Sequence, residues 1–257
     1  MLKKRTQLLL ATGTFLYILG AMYLYAFQQY LLYPTQPAFP HPYQNIVFQH
    51  EGESINVIVL NPECEKAVLY FGGNAEAVSQ SVHDYANDYA DYCLYFVEYR
   101  GYGNSTGTPS EKGLYADALH IYDQLKQKHD NITIIGRSLG TGVATHLASN
   151  RAIDKLVLIT PYDSIENIAR DRYPFFPISI LLKDKHDSIT RVKNIKAKTL
   201  IFTAENDATI PANRSAPMIE AFPTAQASVT HILNVDHNSI LQHPTYHQTL
   251  QHFLAEN

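Results

Sequence analysis

The stretch NITIIGRSLGTGVATHLASN, residues 131–150, decides the fold. Residues 132–135, Ile-Thr-Ile-Ile, are apolar or β-branched and predict a strand, whereas Gly140–Asn150 has the composition of a helix. Between them lies the motif Gly-Arg-Ser-Leu-Gly, residues 136–140. A strand that turns abruptly into a helix needs glycines two positions either side of the serine, because side chains there would clash. The context favours a nucleophile elbow centred on Ser138 over an ordinary loop.

The rest of the chain alternates short apolar runs with longer segments of helical length. The predicted strands are Ile55–Leu60, Ala67–Phe71, Cys93–Tyr99, Ile132–Ile135, Leu156–Ile159, Thr199–Thr203 and Val229–Leu233. The predicted helices are Glu76–Ala90, Glu111–His129, Gly140–Asn150, Asn213–Phe222 and His243–Leu254. Apolar strands separated by helices indicate an α/β fold with a mostly parallel sheet covered on both faces. Ligands of such sheets bind beyond the carboxyl ends of the strands.

A serine nucleophile needs a base that takes its proton and a carboxylate that orients the base. Asp207 follows the strand Thr199–Thr203 and is the preferred acid. Glu205 in the same loop and Asp163 after an earlier strand are alternatives. Asp207 also has a purely structural interpretation, as a turn residue that caps the next helix.

His237 is the preferred base because it directly follows the last predicted strand. His231 lies within that strand, and His243, His247 and His252 belong to the final helix, where we expect them at the surface. A metal site built on His243 and His247 is disfavoured, since no carboxylate completes the ligand set at the expected spacing.

An oxyanion hole requires two backbone amides, one from the residue after the nucleophile and one from the loop after an early strand. Leu139 supplies the first. The sequence Phe-Gly-Gly-Asn-Ala, residues 71–75, ends a predicted strand, and its glycines allow close approach of a substrate. We therefore predict the Asn74 amide as the second donor, with Gly73 beside it.

The N-terminus predicts a membrane anchor. Three basic residues, at positions 3–5, precede an uncharged stretch whose core, Leu8–Phe27, is long enough to cross ~30 Å of hydrocarbon. A cleaved signal peptide and a soluble core helix are the alternatives. The predicted organisation is a cytoplasmic segment 1–6, a transmembrane helix 7–30, a proline-rich connector 31–43 and one domain 44–257. Because basic flanks resist translocation, we expect the domain on the exported side, periplasmic in a Gram-negative bacterium.

The composition excludes some classes of protein. With 20 basic and 24 acidic residues, a net charge of −4 leaves no electrostatic footprint for nucleic acid. The two cysteines, Cys64 and Cys93, are too few for a disulfide framework. They either form one bridge between neighbouring strands or are unrelated, and the sequence leaves both open.

Taken together, the motifs resemble the α/β-hydrolase fold, and more narrowly the small membrane-anchored abhydrolase-domain proteins. Beyond the elbow, the resemblance rests on YFGGNAE (70–76), EYRGYGNS (98–105) and TPYDS (160–164). It implies Ser138, Asp207 and His237 as the catalytic residues, Asn74 and Leu139 as oxyanion donors, and a mechanism without cofactors. Gly72 departs from the histidine that many such hydrolases carry there. We interpret Arg100 as structural, a partner for a buried carboxylate.

These observations predict a serine hydrolase that cleaves an ester or thioester through an acyl-enzyme. A short lid between residues 162 and 196 contains an apolar run, Tyr173–Leu182, which forms either an acyl-binding wall or core packing. With the anchor, this favours lipid-like substrates. The alternatives are a membrane-tethered binding module without catalysis, and a peptidase or acyltransferase with the same triad. A haloalkane or epoxide hydrolase would need aspartate in place of Ser138.

Overall fold

The computed structural model describes residues 2–86 and 88–256. Met1, Asn87 and Asn257 lie outside the described residues, and Asn87 falls within the predicted helix Glu76–Ala90. The strands are β1 (Gln44–His50), β2 (Glu53–Leu60), β3 (Lys66–Phe71), β4 (Tyr92–Val97), β5 (Asn131–Arg137), β6 (Lys155–Ile159), β7 (Lys198–Ala204) and β8 (Ala227–Ile232). The helices are α1 (Leu2–Leu32), α2 (Val78–Tyr85), α3 (Glu111–Leu125), α4 (Leu139–Asn150), α5 (Ile165–Arg172), α6 (Ile178–Leu181), α7 (Ala212–Glu220) and α8 (Pro244–Ala255). Short 3₁₀ helices cover Ile189–Asn194 and Ser239–Gln242.

The strands form one sheet in the order β1-β2-β4-β3-β5-β6-β7-β8. Strand β2 runs antiparallel to β1 and β4, and every other pair is parallel. The predicted mostly parallel sheet is confirmed. Strand β1 was not predicted, because this edge strand is half exposed and its polar residues interrupt the apolar run.

Helices cover both faces of the sheet, as predicted. On one face, α3 and α4 bury residues such as Ile121 and Val143 against the strands. On the other face, α2 and α8 bury Val82 and Leu250. Apolar burial on both sides explains why the inner strands are apolar throughout.

Arg100 has the structural role expected of it. Its Nε and Nη2 atoms donate to the two carboxylate oxygens of Asp117 at 2.7 and 2.6 Å. Asp117 is buried on α3, so this bidentate pair fixes the turn after β4 to that helix.

Helix α1 is long and apolar enough to cross a membrane, with a mean hydropathy of 1.6 over its most apolar window. From Tyr17 to its C-terminal end, one side of the helix contacts the domain. The chain then runs without helix from residue 33 to 43, and this connector is bonded along its course. The Gly103 amide donates to the Gln36 carbonyl at 2.9 Å, and the Phe39 amide donates to Ser79 Oγ at 3.0 Å.

Both cysteines are free thiols. They lie close together, as neighbouring strands require, but Cys93 Sγ donates to the backbone carbonyl of Cys64 at 2.9 Å. Burial raises the pKa of the Cys93 thiol to about 11, which keeps it protonated.

Candidate active site

Ser138 sits on a strained turn between β5 and α4. Its backbone has φ 49° and ψ −117°, a conformation that costs a non-glycine residue roughly 1–3 kcal/mol. The flanking glycines permit the turn. A Cβ on Gly140 would lie 2.0 Å from the Phe71 carbonyl oxygen, and one on Gly136 would lie 2.4 Å from the Gly140 carbonyl oxygen. The motif is therefore required by backbone packing around the serine.

The structure brings Ser138, His237 and Asp207 together. His237 Nε2 lies 2.9 Å from Ser138 Oγ, and His237 Nδ1 lies 2.8 Å from Asp207 Oδ2. The three residues follow β5, β8 and β7, all at the carboxyl edge of the sheet. With Nδ1–H donating to the carboxylate, Nε2 is free to accept the serine proton.

The loop that carries Asp207 is held on both sides. The other carboxylate oxygen, Oδ1, accepts from the amides of Thr209 and Ile210 at 2.9 and 2.7 Å. The Asn206 amide donates to the Val235 carbonyl at 2.9 Å, which joins this loop to the histidine loop. The turn-residue interpretation of Asp207 is thus compatible with its contact to the histidine.

The alternative acids lie elsewhere. Glu205 accepts from the amide of Asn234 at 2.8 Å, and its side chain points to solvent. Asp163 pairs with Arg214 at 3.0 Å and accepts from the Ser164 amide. Asp207 is the carboxylate that contacts His237.

The remaining histidines of the C-terminal region have structural contacts. His231 is exposed on β8, where it bonds to Thr203 Oγ1, and His252 is exposed on α8. His243 caps α8. His247 differs from the expected surface position, because it is half-buried and its Nδ1 lies 3.1 Å from the Tyr89 hydroxyl. Within the described ranges, no group of three His, Cys, Asp or Glu residues could hold a metal ion.

The loop after β3 lies beside the elbow, because β3 and β5 are neighbours in the sheet. The Gly73 amide donates to Glu76 Oε2 at 2.7 Å and is therefore occupied. Asn74 is the next residue, and it lines one cavity together with Ser138 and Leu139. The geometry thus leaves the Asn74 amide, rather than that of Gly73, as the candidate donor next to Leu139.

Arg137 and Glu76 form a buried ion pair beneath the site, which sequence reasoning missed. Arg137 Nη1 donates to Glu76 Oε2 at 2.7 Å, and Nη2 donates to the His237 carbonyl at 3.3 Å and to Asn238 Oδ1 at 3.1 Å. One guanidinium therefore joins the Gly73 loop, the elbow and the histidine loop. An arginine at the end of an apolar strand was the available signal, since a buried cation requires a partner.

Electrostatics keep this pair ionised. Burial alone would raise the pKa of Glu76, but the Arg137 guanidinium and the Gly73 amide hold it below its ordinary value. Burial opposes the charge on Arg137 in turn, and Glu76 nevertheless raises the arginine pKa. Each charge therefore stabilises the ionised form of its partner.

A cavity of about 240 Å³ opens above Ser138 and is lined mainly by apolar side chains. Its floor is Asn74, Ser138 and Leu139. One wall is the segment between β6 and β7, including the predicted apolar run. We call residues 173–182 the cap segment; it follows α5 and contains α6. Its lining members are Tyr173, Ile178, Leu181 and Leu182.

The opposite wall is α1, which the sequence predicted only as an anchor. Leu24, Gln28, Leu31 and Leu32 line the cavity. Gln28 fixes the wall, because its Nε2 donates to the Leu181 carbonyl at 3.0 Å and its Oε1 accepts from the Lys183 amide at 2.8 Å. Two glutamines near the end of an apolar helix were the signal that this end packs against protein.

Comparisons with known proteins bear on this site. No protein-family model matches the chain. The alpha/beta hydrolase domain-containing protein aho-3 of Caenorhabditis elegans is 30% identical over 201 residues, which are 75% of this chain and 58% of that protein. The lysophosphatidylserine lipase ABHD12 of Macaca fascicularis is 37% identical over 142 residues, which are 47% of this chain and 35% of that protein. The chain thus spans less than two thirds of these curated relatives.

A solved structure shows the same fold. Est1E from Butyrivibrio proteoclasticus, with ferulic acid bound, has a TM-score of 0.67 and 14% identity, over 81% of this chain and 97% of that one.

Proposed function

Because the chain is an abhydrolase-domain protein with the α/β-hydrolase fold, we propose that it is a serine hydrolase that cleaves an ester or thioester. The observation that carries the proposal is the continuous chain of contacts from Ser138 Oγ through His237 to Asp207, at the floor of an open apolar cavity.

In the proposed mechanism, His237 Nε2 takes the proton of Ser138 as Oγ attacks the acyl carbon. The Asn74 and Leu139 amides stabilise the oxyanion, and Asp207 stabilises the imidazolium that forms. His237 then protonates the leaving group, and an acyl-enzyme remains. Water activated by His237 attacks it in the second half of the reaction and releases the acid.

The substrate we propose is lipid-like, with an acyl chain in the cavity between α1 and the cap segment. Apolar walls favour hydrocarbon over charged groups. A relative named as a lysophosphatidylserine lipase is in accord with this class. We further propose that α1 anchors the protein in the cell membrane, with its N-terminus cytoplasmic and the domain exported.

A fluorophosphonate serine probe tests the nucleophile and the base. Full-length wild type should be labelled, and Ser138→Ala should not. His237→Ala should be labelled ~100- to 10,000-fold more slowly, since it removes the general base. Ser149→Ala is the matched control, because Ser149 lies at the far end of α4 and should label as wild type.

Two outcomes would contradict the proposal. Equal labelling of wild type, Ser138→Ala and His237→Ala would refute the site assignment. A folded wild type that does not react at all would favour a binding module. For orientation, alkaline phosphatase fused to the C-terminus should be active, because it requires export; activity only of a cytoplasmic reporter would reverse the topology.

A further inference from the structure

The cap segment lies along α1, from the middle of the helix to near its C-terminal end. The Phe176 ring stacks on Tyr17 with centroids 5.1 Å apart and an interplanar angle of 7°. It also covers Gly20, where a Cβ would lie 2.8 Å from Phe176 Cζ. Nearer the C-terminal end of α1, Gln28 bonds to Leu181 at the other end of the cap segment. The segment therefore follows α1 over several turns.

These contacts set the depth of the cap segment relative to the apolar stretch of α1. Tyr17 lies ten residues before Phe27, the end of that stretch, and this separation is ~15 Å along a helix. A hydrocarbon core is ~30 Å thick, so Tyr17 lies near its middle when α1 spans it. Phe176, stacked on Tyr17, lies at the same depth.

The surface of the cap segment is suited to hydrocarbon. Phe175 is 85% exposed and Ile180 is 81% exposed, although both are large apolar side chains. The segment YPFFPISILL contains no charged residue, whereas RDR precedes it at 170–172 and KDK follows it at 183–185. In sequence, this pattern matches a segment that enters an apolar layer and returns to its surface. Arg170 and Lys185 reach back to Ser179, so the turn at Phe175 is the part of the segment farthest from charge.

Most backbone amides of the cap segment are hydrogen-bonded within the protein. Pro174 and Pro177 carry no amide hydrogen. Six of the eight remaining amides bond to carbonyl groups of the segment or of α5, and those of Phe175 and Ser179 are not among them. The six are the amides of Tyr173, Phe176, Ile178, Ile180, Leu181 and Leu182. Backbone at membrane depth requires such internal bonding, because lipid offers no partners.

We propose that the cap segment is a membrane-inserted element, packed on α1 within one leaflet, and that the gap between them admits the acyl chain of the substrate sideways from the hydrocarbon. Leu24 and Leu31 of α1 and Ile178 of the cap segment line this gap, and Ser138 lies at its inner end. The insertion stands on the contacts with α1. The access route rests, in addition, on the proposed hydrolase function.

Tryptophan fluorescence tests the insertion, because the chain contains no tryptophan. We would place Phe175→Trp in full-length protein carrying Ser138→Ala and reconstitute it in phosphatidylcholine vesicles. Leu16→Trp, on the exposed part of α1, is the depth reference, and Val229→Trp, exposed on β8, is the aqueous control. The readouts are quenching by chain-brominated lipids and by acrylamide in water.

Phe175→Trp should be quenched by brominated lipid at least half as strongly as Leu16→Trp, and should be protected from acrylamide. Val229→Trp should show the reverse. Acrylamide quenching of Phe175→Trp equal to that of Val229→Trp would overturn the insertion. Because the readout is fluorescence quenching and not activity, the result does not depend on whether the hydrolase proposal holds.

The access route is tested with a double variant, Phe175→Asp with Ile180→Asp, whose side chains face away from the cavity. Fluorophosphonate labelling from water should stay at the wild-type rate. Hydrolysis of a long-chain ester held in vesicles should fall at least roughly tenfold, because two large apolar contacts with the hydrocarbon are replaced by charges. Wild-type hydrolysis of the vesicle ester, or an equal loss in both assays, would refute the route. Failure of wild-type labelling would instead refute the hydrolase proposal.

Discussion

Replacing Glu76 with glutamine removes the negative partner of a buried cation and leaves the side-chain shape nearly unchanged. The side chains of Arg137 and Glu76 are 10% and 4% exposed, so water cannot replace the lost charge. Breaking a buried pair by removing one partner costs roughly 3–5 kcal/mol. Glutamine can still accept from the Gly73 amide, so we expect Glu76→Gln to lower the free energy of unfolding by ~3 kcal/mol.

The assay is urea unfolding of full-length protein in detergent micelles, followed by circular dichroism. Asp123→Asn is the matched control, because its pair with Arg151 is 46% and 35% exposed and should contribute at most ~1 kcal/mol. Arg137→Met should be similarly costly alone. The double variant Glu76→Gln with Arg137→Met should be more stable than the sum of the single effects by ~1–3 kcal/mol, since it leaves no unpaired charge.

Fluorophosphonate labelling adds a second readout. Arg137 holds the His237 carbonyl, so labelling should slow in the double variant even where stability recovers. A Glu76→Gln protein within ~0.5 kcal/mol of wild type, or strictly additive effects of the two changes, would refute the coupling between the loops.

Three further predictions concern the elbow, the junction of α1 and the cavity wall. Gly140→Ala should prevent folding of the domain and abolish fluorophosphonate labelling, because the alanine Cβ would lie 2.0 Å from the Phe71 carbonyl oxygen. A Gly140→Ala protein that is expressed and labels at the wild-type rate would contradict the packing argument. His186 is fully buried between the hydroxyls of Tyr33 and Tyr115, at 2.9 and 3.0 Å, and burial lowers its pKa from 6.5 to about 4. The unfolded chain therefore binds a proton that the folded chain excludes, so stability should be complete above pH 6.5 and fall by roughly 3 kcal/mol toward pH 4. The urea midpoint measured across this range should drop less in His186→Gln, and an identical profile would exclude His186 as the cause. Leu24 lines the cavity, so Leu24→Phe should shorten the acyl chain that fits and lower kcat/KM for long esters roughly tenfold relative to short ones. Leu19→Phe, outside the cavity, should leave kcat/KM for both ester lengths unchanged.

Local patterns predicted the inner sheet and the relative placement of the site residues. The strand and helix around Ser138 lie within two residues of their predicted bounds, because apolar runs and glycine positions are local properties. Helix α2 is shorter than predicted: it begins at Val78, since Glu76 folds back to bind the Gly73 amide. That contact, like the Glu76–Arg137 pair, depends on tertiary placement that no periodicity encodes.

The contacts of α1 with the domain are a second case in which the sequence pattern does not predict tertiary placement. Hydropathy averages over all sides of α1, so it indicates a membrane span but does not show which side lines the cavity. The contact between Phe176 and Tyr17 joins residues far apart in the chain, and only the folded structure places the cap segment beside α1. Sequence reasoning left two interpretations of the run Tyr173–Leu182, and the structure shows that four of its residues line the cavity above Ser138.

The connector between α1 and β1 limits how far the domain can move from α1. A free linker of residues 33–43 would let the domain roam over roughly 18 Å. The bonds at Gln36 and Phe39 remove that freedom, so the domain keeps one position relative to α1 and, with the proposed anchor, one height and one tilt above the bilayer. With the proposed anchor, the active site does not reach the surrounding solution or an apposed membrane. The proposed hydrolase activity should then follow the mole fraction of substrate in the leaflet that holds α1, and diluting that leaflet with inert lipid should slow it even when the total amount of substrate is constant.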